Sequence, residues 1–289
     1  MAPNGLKTIW HFRTIGLGTI NYRAASRRLA KEVSVTGLFQ TSIGYDEKFI
    51  KRSSPVFWSN HQNILKARTH GFGWFIWKPE FIKLCLDQIP KGHGLMYCDA
   101  GNYVSSRKTD TDTLKSYLNL AFVTNVVGSN SQNYLEEDWS SKEVMDLFNL
   151  KEIDRKSNQF LGGFLLVINS EEGNLFVKTW SETTCLNRHE YLLPSLVSPT
   201  KGVSTNHRHD QSILSCMLKT QFKPSVDIGD KSTPGCVRAV RHRFGYSLNS
   251  GNYSKIVFFK FISFFSRIRL AIERRLVKNS LYLRPLEHP

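Results

Sequence analysis

The tightest constraint on the fold lies between residues 79 and 99. Pro79 stands where a first helical residue should be. Ile82, Cys85, Leu86 and Ile89 recur at i, i+3, i+4 and i+7, and Pro90 stops the helix. Lys91-Gly-His-Gly94 then turns the chain into Leu95-Met-Tyr-Cys-Asp99, a strand that ends on an aspartate with Ala100-Gly101 directly behind it. A helix feeding a buried strand through a tight turn is part of an α/β sheet. In open sheets of that class ligands gather at the carboxyl ends of the strands, which gives Asp99 a functional address.

The rest of the chain repeats this grammar. Ile9–Phe12 begins a strand, Gly16-Leu-Gly18 a loop, and Tyr22–Val33 a helix capped by Asn21, with Ala25, Leu29 and Val33 on one face. Val35–Ile43 reads as a second strand, so the opening predicts a parallel α/β sheet. Ser140 and Glu143 have capping-box spacing before a short helix. Gly162–Ile168 reads as a buried strand entered through glycines, Glu171–Thr184 as the helix after it, and 192–206 as irregular. Ile213, Leu214, Met217 and Leu218 mark a last helix whose first turn holds His209, Asp210 and Gln211.

At 289 residues and 40% hydrophobic, the chain can bury an ordinary core, which excludes a disordered tail and a small disulfide scaffold. Its five cysteines are an odd number without CxxC spacing and read as reduced thiols. No 18-residue apolar run is present, and Met1-Ala-Pro-Asn-Gly-Leu-Lys does not read as a signal peptide, so the expectation is a cytoplasmic protein. A formal charge of +15 calls for an anionic partner: phosphate, lipid headgroup or nucleic acid. Residues 253–289 carry eight Lys and Arg against two Glu, interleaved with Phe258, Phe259, Phe261, Phe264 and Phe265. The division expected is a domain over 1–252 and a basic amphipathic helical tail over 253–289. That tail either lies on an anionic membrane surface or packs on its own domain.

Four clusters could carry chemistry. Asp99 suits a hard divalent cation, or simply satisfies turn amides. Gly71-Phe-Gly-Trp-Phe-Ile-Trp77-Lys78-Pro79 is either a core corner with Lys78 reaching outward, or an aromatic wall with Lys78 set against a diphosphate. Gly162-Gly163 permits close backbone packing or close approach of a ligand. Asp210 is either a plain N-cap or a ligand-facing carboxylate, and the spacing of His207 and His209 does not make a zinc site. Arg238-Ala-Val-Arg241-His-Arg243 is a basic cluster, but no nucleic-acid-binding spelling accompanies it.

The ordered blocks Gly71–Pro79, Leu95–Gly101, Gln159-Phe-Leu-Gly-Gly-Phe164 and His207-Arg-His-Asp-Gln-Ser-Ile-Leu214 together resemble a family of bacterial and viral glycosyltransferase-like proteins with the nucleotide-diphospho-sugar (GT-A) fold. The resemblance spans roughly residues 7–222. It implies a three-layer α/β/α sandwich around a mainly parallel mixed sheet. It also implies a nucleotide-sugar donor, a glycan or lipid-linked acceptor, and Mn²⁺ or Mg²⁺ bridging the diphosphate to Asp99. Gly101 takes the place of the second aspartate of the fold's Asp-x-Asp motif, so either Asp210 supplies the missing charge or Lys78, Arg208 or Arg238 neutralises the diphosphate without a metal. By the same resemblance Asp210 and His209 are catalytic, while Lys78, Trp77, Asp99, Gly101, Gly162, Gly163 and Gln211 line the donor site. The expected function is transfer of a sugar to a hydroxyl of a cell-surface glycan or its lipid-linked precursor. The alternative is a non-catalytic binder of nucleotide sugars or of phosphate and nucleic acid.

Overall fold

A computed structural model of the chain describes residues 8–66, 71–192, 207–222, 225–226 and 235–239. The tail predicted over 253–289, and Arg241 and Arg243, lie outside the described residues.

Strand β1 (Trp10–Gly16) is buried along its whole length and leads through a glycine loop into helix α1 (Ile20–Ser34) and strand β2 (Thr41–Asp46). Thr19 rather than Asn21 caps α1, its hydroxyl accepting the Tyr22 amide at 3.3 Å. The second strand starts at Thr41 instead of Val35 because the chain first closes the helix end. There the Thr36 hydroxyl donates to the Val33 carbonyl and Gly37 turns with φ +68°.

Short helices α2 (Glu47–Ser53), α3 (Pro55–Asn60) and α4 (Gln62–Lys66) precede α5 (Trp77–Leu86) and strands β3 (Gly94–Cys98) and β4 (Tyr103–Val104). Helix α5 begins two residues before Pro79, and a proline is still tolerated there because first-turn amides have no intrahelical acceptor.

Helix α6 (Lys108–Thr124) leads to β5 (Val126–Leu135), followed by α7 (Glu136–Trp139), α8 (Lys142–Leu147) and α9 (Glu152–Arg155). Ser141, not Ser140, caps α8, since the Ser140 hydroxyl is given to the buried Glu136 carboxylate. Strand β6 (Asn158–Ile168), helices α10 (Glu171–Cys185) and α11 (Asp210–Met217) and the two-residue strands β7 (Ser225–Val226) and β8 (Val237–Arg238) complete the described fold.

Six strands form one sheet in the order β2-β1-β3-β6-β5-β7. All run the same way except β6, which is antiparallel to β3 and to β5. The expected mainly parallel mixed sheet is thus present, and both of its faces are covered. Leu95, Tyr97, Leu165 and Val167 pack with α5, α10 and α11, while the alternate residues Met96, Cys98, Phe164 and Leu166 pack with α1 and α6. Three layers result directly from this alternation. All five cysteines stand free and none is exposed.

The reversal of β6 decides where its glycines sit. With Gly94 opposite Ile168 and Cys98 opposite Phe164, β6 carries Gly162 and Gly163 to the carboxyl end of β3. These glycines lie inside the strand, four residues after its start at Asn158, rather than at its entry.

Candidate active site

Asp99 follows β3, and its amide donates to the Gly163 carbonyl at 3.0 Å. That bond and the Asn102 side-chain amide on the same carbonyl (2.9 Å) pin the turn after the strand to β6. Tyr97, buried two residues earlier on the same face, donates its hydroxyl to Asp99 Oδ1 at 2.6 Å. Gly163 leaves room for this arrangement: a Cβ there would stand 3.2 Å from Asp99 Oδ2.

Lys78 closes the site from beneath. Its Nζ donates to the Gly162 carbonyl at 2.9 Å and lies 3.1 Å from Asp210 Oδ2 and 3.3 Å from Asp99 Oδ1. The Phe75 ring face covers it at 4.6 Å. Lys78 therefore does not reach outward, as a core-corner lysine would, and it is only 3% exposed. Burial works against its charge, but Asp210 and Asp99 outweigh burial and raise its pKa above the usual lysine value.

Asp210 is the first residue of α11 and not its cap; His209 holds the cap position, without a side-chain capping bond. The Asp210 side chain is 2% exposed, whereas that of Asp99 is 36% open. Among the described residues Lys78 is the cation that meets Asp210 Oδ2, at 3.1 Å. Burial pushes the Asp210 carboxyl up to about 7; Lys78 pulls it down and Asp99 pushes it further up.

This folded value lies above the ordinary 3.8. The group's contribution to stability is therefore complete below about pH 4 and is lost as the pH rises to about 7. Asp210→Asn keeps the shape of the protonated acid and cannot titrate. It should match wild type in Tm at about pH 3.5 and exceed it at about pH 8. A wild type that remains the more stable at pH 8 would show that Lys78 fully offsets the burial.

Gln211 joins the same group, its Oε1 accepting the Gly162 amide at 3.1 Å and its amide nitrogen donating to Gln159 Oε1 at 2.6 Å. A Cβ on Gly162 would come within 3.1 Å of the Gln211 side chain, so glycine permits α11 to seat on β6. Asp99, Lys78, Gly162, Gly163, Asp210 and Gln211 are therefore brought together.

The other expected residues are placed around this centre. Trp77 is buried, and its indole donates to the Gly71 carbonyl at 2.9 Å. Gly101 sits in the turn after Asp99. The His209 ring pairs with the Leu192 carbonyl at 2.9 Å and packs on Trp74 at 4.3 Å. Arg208 stacks over Trp139 and Tyr134, and Arg238 over Tyr103, so neither cation adds to the Asp99–Asp210 pair.

The divalent cation implied by the sequence resemblance does not fit these donors. Mg²⁺ and Mn²⁺ need one or two protein carboxylates free to turn toward the ion, with water and substrate phosphate completing the octahedron. Among the described residues no larger cluster of His, Cys, Asp and Glu gathers elsewhere to hold one. The two carboxylates that do meet already share an ammonium ion.

Three features of the site were not signalled by spacing. First, Gly71, Phe72, Gly73, Trp74 and Phe75 all have positive φ, between 56° and 84°, forming a left-handed turn. Each non-glycine residue there costs about 1–2 kcal/mol, and the turn is what lays Phe75 over Lys78 and Trp74 on His209. Second, the buried Arg28 of α1 donates to the Ala100 carbonyl at 2.8 Å and the Asn102 carbonyl at 2.9 Å, clamping the turn that carries Asp99. Third, the Glu136–Lys219 ion pair at 2.9 Å lies behind α11, joined by Ser140, Ser215 and Gln159. Through Gln159 this network reaches Gln211 and the site. Repeated glycines and aromatics at 71–75 were the sole local sign of the turn; the other two features pair residues about 70 to 80 positions apart.

No protein-family model matches the chain, and no curated protein matches it in sequence. Among solved structures it is similar to mouse xyloside xylosyltransferase 1 in its apo form, at 6% identity and TM-score 0.45, covering 83% of this chain and all of that one. It is also similar to a glycosyltransferase involved in glycosylation of the major capsid of PBCV-1 (10%, TM-score 0.41, 88% and 99%). A third likeness is to the galactosyltransferase LgtC with donor and acceptor sugar analogs (10%, TM-score 0.42, 88% and 95%). These are loose likenesses of chain path, and function has to be argued from the site.

Proposed function

We propose that this chain is a glycosyltransferase that moves a sugar from a nucleotide-sugar donor to a hydroxyl of a cell-surface glycan or lipid-linked precursor. One observation carries the reading. Four sequence blocks spread between residues 71 and 214 each send a residue to the same point: Lys78, Asp99, Gly162 with Gly163, and Asp210 with Gln211. That point is at the carboxyl end of β3, where sheets of this class bind ligands.

Sugar transfer builds positive charge at the anomeric carbon and requires removal of a proton from the acceptor hydroxyl. Asp99 is the carboxylate with access to a bound molecule, and both tasks suit it. Asp210, expected to meet the sugar, is buried behind Lys78, so this reading has it act through Lys78 and the first turn of α11. His209 and Gln211 flank that turn, and the aromatic surface at 72–75 offers a wall for a base or sugar ring. The basic segment 253–289 would place the enzyme at the cytoplasmic membrane face, where lipid-linked acceptors are made.

A screen of nucleotide sugars by thermal shift tests the reading. A donor at one hundred times its Kd should stabilise the protein by about 2.7 kcal/mol. That is a rise of several degrees, and Asp99→Ala should abolish it. No shift with any donor would sink the proposal. A shift without sugar transfer or donor hydrolysis would favour a binder without turnover.

A further inference from the structure

We propose that the Lys78 ammonium is the resident cation of this site, so that the site takes its ligand without a divalent metal. The identity of the ligand rests on the glycosyltransferase reading; the inference about the cation does not.

The surroundings of Nζ are those of a bound ion. Three oxygens lie within 3.3 Å, from Asp99, Asp210 and Gly162, and an aromatic face closes a further side. Each partner comes from a different element: the end of β3, the first residue of α11, the interior of β6 and the left-handed turn before α5. Several oxygens converging on one buried point are what a hard cation takes as ligands, and here the point is filled by a covalently attached charge. The glycines of β6 fit the same account. Gly162 lets α11 approach until Asp210 reaches Nζ, and Gly163 lets Asp99 do so from the other side. Asp99 Oδ1 is further occupied by the Tyr97 hydroxyl. A dication seeking these oxygens would have to displace the ammonium or sit against it, and like charges in a dry site repel strongly.

This arrangement differs from a lysine that binds phosphate. Such a lysine presents its charge to solvent, whereas Lys78 spends its charge inside the protein and leaves Asp99 as the open group. The chain therefore supplies no metal to neutralise a departing diphosphate, and Asp99 is free to meet a neutral hydroxyl or a cationic centre.

Titration of the free full-length protein with Mn²⁺, followed by loss of the free-ion electron paramagnetic resonance signal, tests this without any donor. Wild type and Asp99→Asn should give the same titration. Lys78→Met, shown to be folded by circular dichroism, should bind one Mn²⁺ at least tenfold more tightly than wild type, and adding Asp99→Asn should remove that gain. One Mn²⁺ per wild-type chain, lost in Asp99→Asn, would overturn the proposal, as would a folded Lys78→Met protein that leaves the ion free. Should Lys78→Met not fold, the comparison of wild type with Asp99→Asn still decides. Failure of every nucleotide sugar to bind would end the transferase reading and leave this result standing.

Discussion

Lys78→Met is expected to cost the protein about 3–5 kcal/mol, the usual penalty for removing one partner of a buried ion pair. The substitution keeps the length and apolar stem of the side chain, so packing on Phe75 and Tyr97 is largely preserved. What is lost is the charge that holds Asp99 and Asp210 together and the bond to the Gly162 carbonyl. Asp210 cannot move to water, and its remedy is to bind a proton. Its carboxyl, already pushed up to about 7 by burial, rises further when Lys78 no longer opposes the shift. A raised folded value means stability is lost as pH climbs through it. The penalty should therefore grow from about pH 7 to about pH 9. Urea unfolding at both pH values checks this, and a cost of under 1 kcal/mol at both would mean that the ammonium is not the centre of the cluster.

Gly16→Ala should be comparably damaging, for a reason unrelated to charge. A Cβ at this position would lie 1.9 Å from the Tyr22 carbonyl oxygen and 2.7 Å from the Arg23 amide nitrogen. Both belong to the backbone of α1, so no side chain can swing away, and β1 and the helix must separate. Overpacking costs typically 1–3 kcal/mol and more when backbone is the obstacle, so about 3–4 kcal/mol is expected here, or a fall in Tm of roughly 10 °C. Gly37→Ala is the control. Nothing lies within 4 Å of its Cβ, and only its φ of +68° opposes the change, at about 1 kcal/mol. Equal losses at the two positions would show that conformational freedom, and not space, is what Gly16 supplies.

These two positions also mark what could be read before the fold was known. The helix and strand over 79–99, the glycine loop after β1 and the aspartate at the end of β3 were legible, because apolar period and turn residues act locally. Asp99, Asp210 and the paired glycines could be nominated for the same reason. The partner of Lys78 could not. An apolar neighbourhood around a lysine is consistent with a stem lying under an exposed charge, and choosing the buried alternative requires knowing that carboxylates 21 and 132 residues further along face the same point. The direction of β6 was hidden as well, since apolar alternation is the same read either way. Starts of elements slipped for a simpler reason: more than one capping residue stood near each helix start, and at α8 the Ser140 hydroxyl was already committed to Glu136, which left the cap to Ser141.

The single reversed strand has a consequence for how this protein can change over time. Because β6 runs against β3, the acidic turn and the two glycines meet within the sheet's own hydrogen-bonded frame, and Lys78 and Asp210 are delivered by the first turns of packed helices. The charged centre is thus independent of the length of the surrounding loops. A lineage can lengthen, shorten or replace those loops, and with them the molecules it accepts, while the side chains of Lys78, Asp99 and Asp210 stay in register. The reversal separates the part of the protein that is free to diversify from the part that must stay fixed.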